Sequence, residues 1–218
     1  MRKVLMGLVV VSAITASASA ANLLTNGSFE DGMNGWTKAT FYWAGWGTGA
    51  PAINSITGLG TFGGFGGPQD GSRYAGFDIS GHANYHVGAY QTFATEVGQT
   101  YDVTGWFAGG REAANDSMWW EIKVSPGMTS DPDAAGTLIA KREVGPNDPW
   151  FSFTEDFAGQ FVATDSMTTV FLKVGRVQSA DWKISAAVFD NLKVELVPEP
   201  AAALLLLAGL PLLRRRRA

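Results

Sequence analysis

Between residues 22 and 197 no stretch carries the 3.6-residue apolar repeat of a helix. The chain instead breaks into short runs of aromatic and β-branched residues, separated by Gly, Pro, Asn and Asp. Only strands are short enough for such runs, and many short strands punctuated by turns predict an all-β sandwich. The expected strands cover residues 37–44, 73–79, 86–93, 100–108, 118–125, 137–143, 151–157, 168–177 and 186–197. These 176 residues suffice for one domain with one core. The chain has no cysteine, so that core forms without disulfides or thiolate-held metals.

The flanks read as addresses. Arg2 and Lys3 precede an apolar run over residues 4–14 and then Ala18-Ser19-Ala20, the layout of a secretory signal peptide over residues 1–20. At the other end, residues 198–218 open with Pro198-Glu199-Pro200. Residues 201–213 then form an apolar run, too short as a helix (about 20 Å) for the roughly 30 Å bilayer core. Arg214, Arg215, Arg216 and Arg217 follow, a basic cluster that stays on the cytoplasmic side. The domain over residues 21–197 is therefore expected outside the inner membrane.

This tail resembles the PEP-CTERM sorting signal of Gram-negative bacteria, in which a Val-Pro-Glu-Pro motif, a short apolar helix and an arginine cluster follow in that order. The resemblance implies an exosortase as partner, transient anchoring in the inner membrane, processing near Pro198, Glu199 and Pro200, and delivery to the cell surface or extracellular matrix. An ordinary C-terminal membrane anchor is the other reading of the same residues.

Six of the 16 basic residues but one of the 20 acidic residues lie in these flanks, so the exported part has a net charge of −9. That balance argues against nucleic acid, which needs a basic footprint, and favours divalent cations. The exported part opens Asn26-Gly27-Ser28-Phe29-Glu30, with Gly35-Trp36 a few residues on, and closes Phe189-Asp190-Asn191. These ends, with Asp70-Gly71-Ser72-Arg73-Tyr74-Ala75 between them, resemble the galactose-binding-like jelly-roll superfamily, which includes many carbohydrate-binding modules. The resemblance implies a jelly roll whose first and last segments meet, and a structural Ca²⁺ held by Glu30 and Asp190. Strict alternation over 188–194 would turn Asp190 toward the core with Val188, Leu192 and Val194. There the carboxylate is costly unless it binds a metal or accepts backbone hydrogen bonds, and both alternatives stay open.

Strand parity sorts the aromatic residues. Trp119 shares a face with Glu121 and Lys123, and Trp106 with Asp102 and Thr104. An aromatic plane among polar side chains is how a sugar ring is held, which makes Trp106, Trp119, Asp102, Glu121 and Arg111 candidates for polysaccharide or exopolysaccharide binding. Loops covering those faces would instead make the tryptophans a second packing layer. Residues 45–71 hold ten glycines, yet also Trp46, Phe62 and Phe65. A connection this long either presents Trp43 and Trp46 as a binding loop or folds back over one sheet. His82 and His86 straddle a turn, a poor zinc geometry. Asp131 and Asp133 read as a surface turn, and the Asn26 sequon as turn chemistry. No nucleophile elbow, Walker loop or His-Glu-x-x-His motif occurs. The expected function is a non-catalytic, polysaccharide-binding surface or matrix protein. A purely structural matrix component and a glycoside hydrolase or lyase are the alternatives.

Overall fold

The computed structural model describes residues 21–43, 53–56, 68–80, 85–111, 117–144, 153–178 and 184–198. The predicted signal peptide, Glu199, Pro200 and the rest of the predicted sorting helix, Trp46, His82 and most of the glycine-rich 45–71 segment lie outside them. For Trp43 and Arg111 only the backbone is described.

Ten strands and no helix occur among the described residues: β1 Thr37–Trp43, β2 Ile53–Ile56, β3 Tyr74–Ser80, β4 Tyr85–Ala94, β5 Thr100–Arg111, β6 Ser117–Pro126, β7 Thr137–Val144, β8 Phe153–Val162, β9 Met167–Gln178 and β10 Ile184–Leu196. Nine coincide with the expected strands. The tenth, β2, lies inside the glycine-rich segment, where four residues are too few to show alternation. The strands form two antiparallel five-stranded sheets, ordered β1-β4-β9-β6-β7 and β2-β3-β10-β5-β8. Their facing sides supply a shared core, a jelly-roll β-sandwich in which Val87, Trp120, Ile122, Leu172 and Val174 of the first sheet join Phe77, Val103, Phe107, Phe189 and Leu192 of the second. Trp120 stacks on Phe107 with ring centroids 4.0 Å apart.

The opening and closing segments of the sandwich meet. Leu23 N donates to Val194 O at 2.8 Å and Leu192 N to Gly27 O at 2.9 Å. Asn22 reinforces this with its side chain, donating to Leu192 O and accepting from Val194 N. A β-carbon at Gly27 would stand 2.1 Å from Leu192 O, so only glycine permits the approach. Asn26 closes the turn that follows, its side chain bridging Asp31 N to Gly32 O and its carbonyl accepting from Trp36 Nε1. This leaves Phe29 fully buried.

The expected parity of β10 fails at one residue. Asn191 adopts a positive φ of 50°, and the register with β5 slips between Asp190 and Lys193. This β-bulge inserts one extra residue and turns the strand over. Ala187 and Phe189 point inward before it, Leu192 and Val194 after it. Asp190 therefore does not share a face with Leu192 and Val194. It lies with Val188 on the outer side of the second sheet, opposite Trp106 of β5.

Candidate functional site: the outer face of the first sheet

On the first sheet the inward residues of β4, β6 and β9 alternate with a second set that faces out. Across the strands this set pairs His86 with Gly175, Gly175 with Trp119 and Trp119 with Glu143. The next row runs from Gly88 through Lys173 and Glu121 to Lys141. Trp119 lies flat on the sheet because Gly175 has no side chain: a β-carbon there would fall 2.2 Å from the indole ring. The His86 ring meets Trp119 edge-on at 4.9 Å. The Lys141 and Lys173 ammonium groups each stand 5.7 Å from its ring centroid, within cation–π range.

The charges around the indole are paired. Lys173, only 4% exposed, holds Glu121 at 3.2 Å and Asp133 at 3.3 Å, and Lys141 holds Glu143 at 2.8 Å. Burial and then the nearby Lys173 charge push the His86 pKa below its usual value, partly offset by Asp133 and Glu121. That shift favours the neutral imidazole. The result is a partly exposed aromatic plane ringed by fixed donors and acceptors, an arrangement suited to a sugar ring and its hydroxyls.

The structure divides the sequence candidates between two sheets. Trp119 and Glu121 stay together on the first. Trp106 and Asp102 lie on the outer face of the second sheet, so the four do not form one site. Trp106 is 8% exposed and shares its face with Ala108 and Val188, both fully buried. At that exposure Trp106 offers no free plane. Asp102 accepts from Gln160 Nε2 at 2.8 Å. Sequence reasoning did not assemble Lys173, Lys141 and Asp133 with Trp119. The parity of β9, where Thr169, Phe171 and Lys173 alternate with Val170, Leu172 and Val174, carries part of that signal.

Glu30 and Asp190 converge on one turn. Glu30 accepts from Ser72 N (2.8 Å), Ser72 Oγ (2.8 Å) and Arg73 N (2.7 Å). Asp190 accepts from Gln69 N (2.9 Å), Asp70 N (3.1 Å) and its neighbour Asn191 N (2.7 Å). The backbone bond from Ser72, with the others, lowers the Glu30 pKa. Burial raises that of Asp190, fully buried, despite its three amide donors, and the Asp70 charge adds to the rise. Asp190 thus does accept backbone hydrogen bonds. Carboxylate oxygens suit Ca²⁺ chemically, but a cation here would have to share oxygens that already accept three hydrogen bonds on each residue. Among the described residues no three Asp, Glu, His or Cys side chains cluster as a metal-ligand set.

No protein-family model and no curated relative matches the chain. Solved structures do. The xylan-binding domain CBM22-1 of Xyn10C from Paenibacillus barcinonensis is 16% identical with a TM-score of 0.50, covering 84% of this chain and 99% of that one. The structure of TmCBM61 in complex with β-1,4-galactotriose is also 16% identical with a TM-score of 0.49, covering 82% of this chain and all of that one. These two structural neighbours are carbohydrate-binding modules with a jelly-roll fold. An enzymatically active domain of bacteriophage CBA120 tailspike protein 4 also matches, at 13% identity and a TM-score of 0.49, but this chain spans only 21% of it. At these identities the likeness concerns the fold.

Proposed function

We propose that this chain is an exported, non-catalytic protein that binds polysaccharide on the outer face of its first sheet. One observation carries the reading: Trp119, laid flat on Gly175, is partly exposed among paired lysines and carboxylates. Sugar rings stack on the indole, and Glu121, Lys141 and Glu143 hold the hydroxyls. That a neighbour of the same fold is a xylan-binding domain supports xylan as a first probe.

The destination is part of the proposal. The exosortase-type tail, with Pro198, Glu199 and Pro200 as processing motif, anchors the chain transiently in the inner membrane of a Gram-negative bacterium and passes it to the surface or matrix. Ca²⁺, held by Glu30 and Asp190, would neutralise the buried carboxylate and tie the opening segment to the last strand.

The test is affinity electrophoresis of the mature domain through xylan, β-1,4-galactan, mixed-linkage β-glucan and polygalacturonate, with and without calcium. Retardation by a defined polymer that the protein does not degrade supports the proposal. Folded protein that no polymer retards would favour a structural matrix component, and shortening of the polymer a hydrolase or lyase.

A further inference from the structure

The connection between β6 and β7, residues 127–136, does not stand clear of the sandwich. Thr129 N donates to Thr169 Oγ1 at 3.3 Å, and that hydroxyl donates to Gly127 O at 2.8 Å. Lys123 Nζ donates to Pro132 O at 3.2 Å, and Lys173 Nζ reaches Asp133 at 3.3 Å. Pro132 is buried, unusual for a proline in a turn. Ser125, Thr169 and Phe171 point outward by parity, yet all three are fully buried. The connection is thus a strap across one end of the outer face of the first sheet, ending beside the Trp119 rows.

Lys173 joins strap and platform. One ammonium with three donors holds Glu121 of the sheet, holds Asp133 of the strap and stands 5.7 Å from the Trp119 centroid. Its own side chain is 5% exposed, that of Asp133 76%. Asp133 is therefore anchored and still mostly in water, a fixed acceptor at the rim of the aromatic plane.

We propose that the 127–136 strap is a wall of the glycan site, that Asp133 is a specificity-determining residue accepting a sugar hydroxyl, and that Lys173 is the residue positioning it. The proposal rests on the Trp119 face being the glycan platform. It also defines the sugar. A uronate seated there would meet Asp133 and Glu121 carboxylates whose lysine is already committed, so the wall selects an uncharged sugar.

The experiment compares retention of the mature domain, D133A, K173M and K173R by the same three neutral polymers and polygalacturonate, with melting temperatures measured in parallel. The native domain is retained by at least one neutral polymer more strongly than by polygalacturonate. D133A loses at least about fivefold of that affinity with at most a small fall in melting temperature, because its side chain is mostly in solvent and Lys173 keeps Glu121 as a partner. K173M loses at least as much, and K173R restores it, since a guanidinium still spans both carboxylates. A merely structural Lys173 would lower the melting temperature of K173M and leave the affinity of the folded protein unchanged. Folded D133A and K173M with native affinity, or a preference for polygalacturonate, would overturn the proposal while leaving the platform intact. No retention of the native domain by any of the polymers would overturn both.

Discussion

The indole of Trp119 occupies the space that a side chain on Gly175 would need: a β-carbon added there comes within 2.2 Å of the ring. The two residues are cross-strand partners of β6 and β9. The aromatic plane therefore depends on an absence, a glycine in the middle of a long central strand, where glycine otherwise weakens pairing.

Replacing Gly175 with Ala should lift Trp119 off the sheet without touching the core, which lies on the opposite face. Loss of one well-seated aromatic contact is worth about 1 kcal/mol, so retention by a bound polymer should weaken on the order of tenfold or less. Isothermal titration of G175A beside the native domain checks this. Native affinity in G175A would mean that the orientation of Trp119 is irrelevant.

Asp190→Ala should destabilise the domain by about 3 kcal/mol, because the amides of Gln69, Asp70 and Asn191 lose a charged acceptor where water cannot replace it fully. Glu30→Ala, at a solvent-exposed carboxylate, should have the smaller effect. Urea denaturation measures both. Equal midpoints for D190A and the native domain would show that the turn holds without that acceptor.

These two carboxylates carry opposite pH signatures. The Glu30 pKa is lowered on folding, so its contribution is present above the unfolded value of 4.5 and is lost as pH falls through the folded one. The Asp190 pKa is raised, so stability tied to it is full below the unfolded value of 3.8 and is lost as pH rises through the folded one. E30Q should therefore show a shallower acid-side loss of stability than the native domain. The advantage of the native domain over D190N should widen as pH falls. Urea titrations between pH 3 and 7 test both signs, and parallel curves for all three proteins would contradict them.

Calcium gives a separate readout of the same turn. Adding it to chelated protein should raise the melting temperature, and D190N should abolish the rise. No shift in the native domain at saturating calcium would remove the metal from the account.

Much of the sandwich was legible because the signal is local. In β6, Met118, Trp120, Ile122 and Val124 alternate with Trp119, Glu121 and Lys123, and the structure buries the first set as expected. The meeting of the ends was expected only through the resemblance that the Asn-Gly-Ser-Phe-Glu opening and the Phe-Asp-Asn close carry, since no local pattern encodes a contact between residues so far apart in the chain. Two things were not. The bulge at Asn191 reverses the face of Asp190, and an asparagine in a left-handed conformation leaves no mark in a parity count. The lysine network around Trp119 joins β9, β6, β7 and the strap, and only strand order decides that Lys173 lies beside Glu121 rather than on the other sheet. For the same reason, parity alone ranked Trp106 and Trp119 as equals.

Those two tryptophans give the most direct test of the central claim. Trp119→Ala and Trp106→Ala are made separately, and polymer retention and melting temperature are measured for each. W119A is expected to stay folded and lose retention, whereas W106A, with its buried ring removed, loses about 3 kcal/mol of stability and, where still folded, keeps its retention. Retention kept by W119A and lost by folded W106A would move the site to the second sheet and contradict the account.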